Sequence, residues 1–300
     1  CERSMTGSDT HQPVRPAHRT DGMDGTGAAS LPARPAHGPA RQAGALPEAH
    51  ASDVLVSVVT PAYNAERFLP RLIPSVLGQT LRQIEWIVVD DCSTDHTHDR
   101  LLEAASDPRL RVIRQAKNGG VAAARNTGLH HARGRYVCFL DSDDYWAQDK
   151  LQVQYDFMER AACGISYMAY RRVDETGRAR ASVSPPAQTD YEDMLVSNRI
   201  GNLTAMVRRE LLTGIEFRRL GHEDYVFWLE AIRRSGTAHR VPDDGTVRCF
   251  YAVSASSLSG NKARAARWQW NIYRNELGLG LMRSATLFAR YVVAALRKRV

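Results

Sequence analysis

The sequence has few cysteines, no long apolar run and neither of the common nucleotide-binding glycine motifs. Its five cysteines among 300 residues are odd in number and form no C-x-x-C pair, which argues against a disulfide framework and a zinc site. No segment reaches the roughly 18 apolar residues of a membrane-spanning helix, and no apolar stretch follows a basic start as in a signal peptide. The glycine-rich stretch NGGVAAARNTG has no G-K-[ST], and no G-x-G-x-x-G follows a strand pattern, so no P-loop or dinucleotide fingerprint is present. These absences favour a reducing, cytoplasmic setting.

Residues 1–53 differ in composition from the rest of the chain. They are rich in Pro, Ala, Gly, His, Thr and Arg and show no apolar periodicity, which predicts a disordered low-complexity tail. The net charge of +7 is concentrated at the other end, because residues 262–300 carry nine Lys and Arg against one Glu. We therefore expect a nearly neutral domain over 54–260, followed by basic amphipathic C-terminal helices over 261–300.

Short β-branched runs alternate with helical patterns from Val54 onward. The runs VLVSVVTP, IEWIVVD, LRVIRQ and RYVCFLD are typical of strands buried on both faces. Their alternation with helices predicts an α/β fold, with a doubly wound, Rossmann-like, mainly parallel sheet over 54–150. The pattern then weakens into a predicted hairpin over 164–184, a strand in NLTAMVRR and an amphipathic helix in EDYVFWLEAIRRSG. Residues 151–260 thus form an appended mixed α+β half.

Polar side chains follow three of the predicted strands, in the segments TPAYN, DDCSTD and DSDD. Ligands of open α/β sheets bind outside the carboxyl ends of the strands, so these groups are expected at one edge. Asp141, Asp143 and Asp144 would repel one another at the end of a buried strand unless a cation offsets them. A divalent metal held by one or two carboxylates keeps open positions for the phosphates of a nucleotide. The cluster therefore predicts a metal-diphosphate site.

Several of these residues also have a purely structural interpretation. Asp143 or Asp144 could cap a helix beginning near Gln148, and Asp91 could be a turn or N-cap residue. Tyr63 offers a flat ring for a base to stack on, but such an aromatic is also typical of the edge of a core.

The same holds for Arg125, Glu223 and Asp224. Arg125 could be a surface charge of its predicted helix or the counter-ion of Asp141. Glu223 and Asp224 could do no more than complement the dipole of the helix that they begin.

Five blocks together resemble the family 2 glycosyltransferases of the GT-A fold. They are VSVVTPAYNAERFLPRLIPSVLGQT, IEWIVVDDCSTDHT, NGGVAAARNTGL, YVCFLDSDDYW and GHEDYVFWLEAI, and they occur in the family's order. The resemblance implies an inverting transfer of a sugar from a UDP-sugar or other nucleotide-diphosphate sugar, with Mn²⁺ or Mg²⁺. The C-terminal end resembles, less sharply, bacterial enzymes that build surface polysaccharides on polyprenyl diphosphate lipids, which implies a glycan or lipid-linked acceptor.

The resemblance also implies roles for individual residues. The nucleotide sugar would be bound by Thr60, Pro61, Tyr63, Asn64, Asp91, Arg125 and Asp141. The metal would be bound by Asp143, with Asp141 and Asp144 as the other candidates. Asp224, or failing it Glu223, would be the catalytic base. Cys92 is a departure, because the family commonly has Gly or Asn there.

Other functions fit the sequence less well. A sugar-phosphate nucleotidyltransferase would need a Gly- and Lys/Arg-rich loop after the first strand, and TPAYNAERF is not one. A haloacid-type phosphatase would carry its D-x-D on the first strand rather than the fourth. A non-catalytic nucleotide-sugar-binding protein is the remaining alternative.

The C-terminal helix pattern has two interpretations. Arg283, Arg290 and Arg297 recur every seven residues, and the opposite face is predicted to hold Leu281, Phe288, Val292 and Ala295. In the first, the helix lies on the anionic surface at the inner face of the plasma membrane. In the second, it packs its apolar face on the domain. Nucleic acid is not an expected partner, since the basic segment has no matching fold.

Overall fold

The structure is a computed structural model that describes residues 54–174, 176–221, 223–253 and 262–297. The tail predicted over 1–53 lies outside the described residues. Within these ranges, no helix is both long and apolar enough to cross a membrane.

The first half alternates strands and helices as predicted. Its elements are β1 (Val56–Ala62), α1 (Leu69–Leu77), β2 (Ile84–Asp90), α2 (Thr97–Ala104), β3 (Leu110–Arg114), α3 (Val121–His131) and β4 (Tyr136–Phe139). β1 pairs in parallel with β2 and β4, and β2 pairs in parallel with β3. Every residue of β1 and β2 is buried, which is why their sequences are apolar without alternation.

The second half is mixed, as predicted. Its elements are β5 (Tyr145–Trp146), α4 (Lys150–Ala161), β6 (Ile165–Tyr167), β7 (Tyr170–Val173), β8 (Ala179–Val183), β9 (Gln188–Asp190), α5 (Tyr191–Val196), β10 (Met206–Arg208), α6 (Glu223–Ser235), β11 (Thr237–Arg240) and β12 (Cys249–Ala252). β7 and β8 form an antiparallel hairpin within the range predicted for one, but the start of that range, β6, is a separate strand that pairs with β10 and β11. The strand predicted in NLTAMVRR is shorter than expected, because Asn202–Thr204 form a 3₁₀ turn.

The strands form two sheets. The larger has eight strands in the order β3-β2-β1-β4-β10-β6-β11-β9, and the smaller has the order β5-β12-β7-β8. Four of the seven pairings in the larger sheet are parallel, and β10 runs antiparallel to both of its neighbours. The carboxyl ends of β1, β2 and β4 consequently meet at one edge, where the polar loops emerge.

One glycine sets the distance between α3 and the sheet. A Cβ at Gly128 would lie 2.4 Å from Cγ1 of Val59 on β1, which is closer than real contacts allow. The glycine-rich stretch therefore serves close helix packing, as predicted. Gly236 ends α6 with a φ of 78°, which also agrees with the sequence.

Two C-terminal helices, α7 (Lys262–Asn271) and α8 (Leu281–Arg297), are joined by the π-helical segment Ile272–Glu276. Tyr273 and Leu287 are 0% and 3% exposed and belong to the same core as α6. The interpretation of α8 as a packed helix is thus confirmed, but its predicted apolar face is wrong.

The buried face of α8 is formed by Ser284, Leu287, Phe288 and Tyr291, whereas Leu281, Val292 and Ala295 are exposed. The helix has two apolar faces, and a periodicity alone does not show which of them meets the domain.

Candidate active site

Hydrogen bonds between loops build the donor side of the site. Asn64 has a φ of 48°, and its Oδ1 accepts a hydrogen bond from the backbone N of Thr94 at 2.8 Å. The carboxylate of Asp91 accepts hydrogen bonds from the backbone N of Gly119 and of Gly120, both at 2.7 Å. The loops after β1 and β2 and the loop before α3 are thereby locked together. The helix α2 begins only at Thr97, so Asp91 is not its N-cap.

The structure separates the residues predicted to bind the nucleotide into exposed and buried ones. Tyr63 is 52% exposed, so its ring is available for stacking and is not part of the core edge. Thr60 is fully buried, and its hydroxyl accepts a hydrogen bond from the indole Nε1 of Trp86 at 2.9 Å. Pro61 is buried as well. The side chains of Thr60 and Pro61 therefore pack inside the protein at the end of β1 and do not extend into the crevice.

Cys92 has a backbone conformation that is unfavourable for its side chain. Its φ is 67°, in the left-handed region that favours Gly and Asn. This conformation gives a physical reason for the Gly or Asn expected there, and it places strain in the turn beside Tyr63 and Asn64.

The acidic segment after β4 is partly buried and electrostatically crowded. Burial, and then the charge of Asp141, raise the pKa of Asp143 to about 6. Burial and the neighbouring carboxylates also raise the pKa of Asp144 well above its ordinary value. Asp144 is 2% exposed, and its Oδ1 accepts a hydrogen bond from the backbone N of Ala252 at 2.8 Å, so it also anchors β12. The N-cap of α4 is Asp149, so the interpretation of Asp143 or Asp144 as its cap is wrong.

This crowding fits a divalent metal. Burial and mutual repulsion both disfavour the charged carboxylates of Asp143 and Asp144, and a bound cation would favour them. In the described ranges, no three His, Cys, Asp or Glu side chains are grouped so as to hold a metal ion. A metal here would therefore take one or two carboxylates and complete its shell with phosphate or water oxygens.

Arg125 joins the acidic segment to α6. Arg125 is 5% exposed, and its guanidinium lies with Nη2 2.6 Å from Oδ1 of Asp141 and Nη1 3.4 Å from Oε1 of Glu223. Burial alone would lower the pKa of Arg125, but Asp141, Asp224 and Glu223 outweigh it and the pKa is raised. Its Cζ lies 5.2 Å from the ring centroid of Phe217. The prediction that Arg125 is the counter-ion of Asp141 is confirmed.

Glu223 and Asp224 lie in the first turn of α6 and have different partners. Burial raises the pKa of Glu223, although Arg125 opposes the shift. Oδ2 of Asp224 accepts a hydrogen bond from Nδ2 of Asn198 at 3.4 Å. Both acids line a cavity of about 1010 Å³ together with Asp141. The two acids thus do more than complement the helix dipole.

The segment before α6 is held by the C-terminal helices. A Cβ on Gly221 would lie 2.1 Å from Cδ2 of Trp268 on α7. In addition, Nε2 of Gln269 donates a hydrogen bond to the hydroxyl of Tyr225 at 3.2 Å. The indole of Trp268 therefore packs directly against the backbone at Gly221.

Sequence reasoning missed several residues that line the cavity. Asn198 and Arg199 follow α5, Arg172 lies on β7 and Trp268 on α7. These positions lie in segments without a motif, so no local signal marks them. Only the closure of the second sheet and the C-terminal helices over the acidic edge brings them together.

Comparisons with known proteins agree with this geometry. A profile described as "Glycosyl transferase family 2" matches residues 57–214. The chain is 37% identical over 251 residues to "Putative teichuronic acid biosynthesis glycosyltransferase TuaG" of Bacillus subtilis (strain 168), covering 82% of this chain and 98% of that protein. It is 34% identical over 246 residues to the Escherichia coli "UDP-Glc:alpha-D-GlcNAc-diphosphoundecaprenol beta-1,3-glucosyltransferase WfgD", covering 82% and 95%.

Solved structures show the same fold. The crystal structure of Staphylococcus aureus TarS 1-349 in complex with UDP is similar with a TM-score of 0.61 at 23% identity, over 80% of this chain and 71% of that chain. The mannosyltransferase PcManGT from Pyrobaculum calidifontis, in complex with GDP-Man and Mn²⁺, is similar with a TM-score of 0.58 at 21% identity, over 80% and 73%. The predicted GT-A fold is confirmed.

Proposed function

The chain belongs to the family 2 glycosyltransferases, and we propose that it is an inverting, metal-dependent enzyme that transfers a sugar from a UDP-sugar or other nucleotide-diphosphate sugar. The observation that carries the proposal is the double ion pair of Arg125. It holds the acidic strand end, at Asp141, next to the two acids of α6, at Glu223 and Asp224, around one cavity. This arrangement supports the proposal of a leaving-group site and a candidate base on two sides of one reaction centre.

The donor side is proposed to bind the nucleotide diphosphate. Tyr63 would stack on the base, while Asn64 and Asp91 keep the loops around it in place. Asp143 and Asp141 would hold Mn²⁺ or Mg²⁺, which when bound neutralises the charge that develops on the departing diphosphate. Asp144 would contribute to this site indirectly, because its Oδ1 already accepts a hydrogen bond from the backbone N of Ala252.

The acceptor side is proposed to use Asp224 as the base. Glu223 forms an ion pair with Arg125, and Asp224 accepts a hydrogen bond from the amide of Asn198, which orients its carboxylate at the cavity. We assign the base to Asp224, as the resemblance implies, with Glu223 as the alternative. The acceptor oxygen, deprotonated by Asp224, would form its bond to the anomeric carbon on the face opposite to the breaking bond to diphosphate. The configuration at that carbon is then inverted, so an α-linked donor gives a β-linked product.

The acceptor is proposed to be a glycan or a polyprenyl-diphosphate-linked sugar in the synthesis of a bacterial surface polysaccharide. Support comes from the names of relatives, since WfgD and a second Escherichia coli relative, WfaP (34% identical over 221 residues), are described as acting on a diphosphoundecaprenol-linked sugar. The test is UDP release from a panel of UDP-sugars, with Mn²⁺, with Mg²⁺ and with a chelator, with and without a lipid-linked acceptor. Metal-independent release at the full rate would refute the metal-dependent mechanism.

Contact with an anionic membrane is proposed to occur through the second apolar face of α8. Five of the eight exposed large hydrophobic side chains in the described part of the chain lie on this helix: Leu281, Met282, Val292, Val293 and Leu296. Arg283 and Arg290 lie between this face and the packed one. Apolar side chains inserted into the membrane would favour binding. Each basic residue near the surface would add about 1 kcal/mol of attraction to anionic lipid. The enzyme would then work in the cytoplasm, at the inner face of the plasma membrane.

Flotation with liposomes of increasing anionic lipid content tests this contact. Removing the whole helix is unsuitable, because Leu287 belongs to the core. The double change Met282→Gln and Leu296→Gln should reduce flotation several-fold, whereas the control Leu102→Gln, at an exposed position of α2, should not. Flotation unaffected by the double change, or a stable dimer in solution that the double change dissociates, would refute the membrane contact.

A further inference from the structure

The cavity beside the catalytic acids has an acidic end and a basic wall. The acidic end contains Glu223 and Asp224. The basic wall contains Arg172 of β7 and Arg199, which follows α5. Nη2 of Arg199 lies 3.1 Å from Oδ1 of Asp193, and its side chain is 25% exposed, so this guanidinium is held beside the cavity. The cavity therefore presents both carboxylates and guanidinium groups to a ligand.

We propose that Arg172 and Arg199 bind the diphosphate of a lipid-linked acceptor, while the acceptor sugar lies over Asp224. This inference rests on the proposed function and names the acceptor class of the same site. A diphosphate is repelled by the carboxylates that must remove a proton from the acceptor hydroxyl, so the anion has to bind away from them. Of the three arginines among the described lining residues, Arg125 is already paired with Asp141 and Glu223. Arg199 is paired through Nη2 with Asp193 and Arg172 is exposed on β7, and we assign the remaining N–H groups of these two guanidinium groups to an anionic substrate.

The basic wall consists of residues other than those proposed to bind the donor. The described residues that line the cavity include Asp141 and Asp144 but none of Tyr63, Asn64, Asp91 and Asp143. The diphosphate of the donor is expected beside Asp143, at the strand ends. The inference assigns the second diphosphate to Arg172 and Arg199, so that donor and acceptor are bound at once.

The same cavity also adjoins the helix proposed to lie on the membrane. Ala294 of α8 and Trp268 of α7 line it, so an apolar chain attached to the diphosphate can leave along these helices. The volume of about 1010 Å³ exceeds what one sugar ring requires and suits a sugar diphosphate. Ala294 lies on the side of α8 that faces the cavity, not among the exposed apolar residues proposed to contact the membrane.

Calorimetric titration of the full chain with geranyl diphosphate tests the inference. A chelator is present, so that no metal bridges the probe to the aspartates, and the titration is repeated with UDP. Arg172→Gln and Arg199→Gln should each weaken binding by about 10-fold, since each removes a charge-assisted contact. The matched control is Arg171→Gln on the same strand, whose Nε donates a hydrogen bond to Ser182 at 3.4 Å and which does not line the cavity. It should bind as the wild type does.

The remaining arms separate the possible outcomes. Geraniol should not bind, and inorganic pyrophosphate should bind more weakly than geranyl diphosphate. Equal affinity for pyrophosphate and geranyl diphosphate would assign the basic wall to a soluble diphosphate and overturn the assignment to a lipid-linked acceptor. Displacement by UDP, or equal losses in Arg171→Gln and Arg172→Gln, would overturn the proposed subsite. Binding of UDP with Mn²⁺ is measured in every variant. If it is intact while geranyl diphosphate fails to bind, only the acceptor inference is wrong. If neither UDP nor another nucleoside diphosphate binds to the wild type, the proposed function is wrong.

Discussion

Replacing Arg125 by Met should destabilise the fold because it leaves two carboxylates without their cation. Removing one partner of a buried ion pair typically costs about 3–5 kcal/mol. Here the side chains of Asp141 and Glu223 are 30% and 21% exposed, so solvent relieves part of that cost. We expect a loss of about 2–3 kcal/mol at pH 8. For a domain of this size, that loss lowers Tm by about 5–10 °C.

The pH dependence of the loss identifies its cause. The folded-state pKa of Glu223 is already raised by burial, and it should rise further without Arg125. A carboxylate with a raised folded-state pKa weakens the fold when it is ionised, so the penalty is largest at pH 8 and shrinks as protons bind toward pH 5. Urea unfolding at both pH values measures it. The control is Arg100→Met, because Arg100 is half exposed and pairs with Glu66 at the surface, where a loss of at most about 1 kcal/mol is expected. A loss below 1 kcal/mol in Arg125→Met, or an equal loss at pH 8 and pH 5, would refute this reasoning.

Three further changes test separate contacts. Because burial raises the pKa of Asp143 to about 6, a metal must displace its proton at lower pH, so calorimetric affinity for UDP with Mn²⁺ should fall about 5-fold from pH 6 to pH 5. A flat profile, or the same fall in Asp143→Asn, would contradict this. Cys92→Gly removes a side chain from a φ of 67° and should raise the free energy of unfolding by about 1 kcal/mol in urea, and a loss of stability would show that no strain is stored there. Gly221→Ala should displace the indole of Trp268, change its fluorescence and lower turnover about 10-fold, whereas Gly280→Ala, with open space around it, should do neither; unchanged turnover in Gly221→Ala would exclude the positioning role of Trp268.

The first half of the fold was predictable because its strands are buried on both faces. β1 and β2 are buried at every position, which leaves continuous apolar runs that the sequence displays directly. The shorter strands were harder to predict, because β5 has two residues and β10 has three, too few for a periodicity. In α8 the periodicity was visible, but two apolar faces compete and only packing against the core selects one.

The acidic part of the site was also predictable, because parallel strands bring their carboxyl ends to one edge. The pairing of Arg125 with Asp141 followed from the need to offset charge there. The burial of Thr60 did not follow, since it depends on a hydrogen bond to Trp86 across two strands. Arg172 and Arg199 lie in segments that are unremarkable in sequence, and only the tertiary structure brings them to the cavity that Glu223 and Asp224 line.

Turnover of Asp224→Asn, measured together with affinity for UDP, tests most directly the claim that α6 supplies the base on the acceptor side. The amide keeps the size of the side chain and its contact with Asn198 but cannot accept the proton. We expect turnover to fall by about 100-fold or more with an affinity for UDP that is nearly unchanged, because a base acts on the acceptor and not on the donor. Glu223→Gln should have a smaller effect on turnover. Full turnover in Asp224→Asn, or a loss of that size in Glu223→Gln alone, would contradict the assignment.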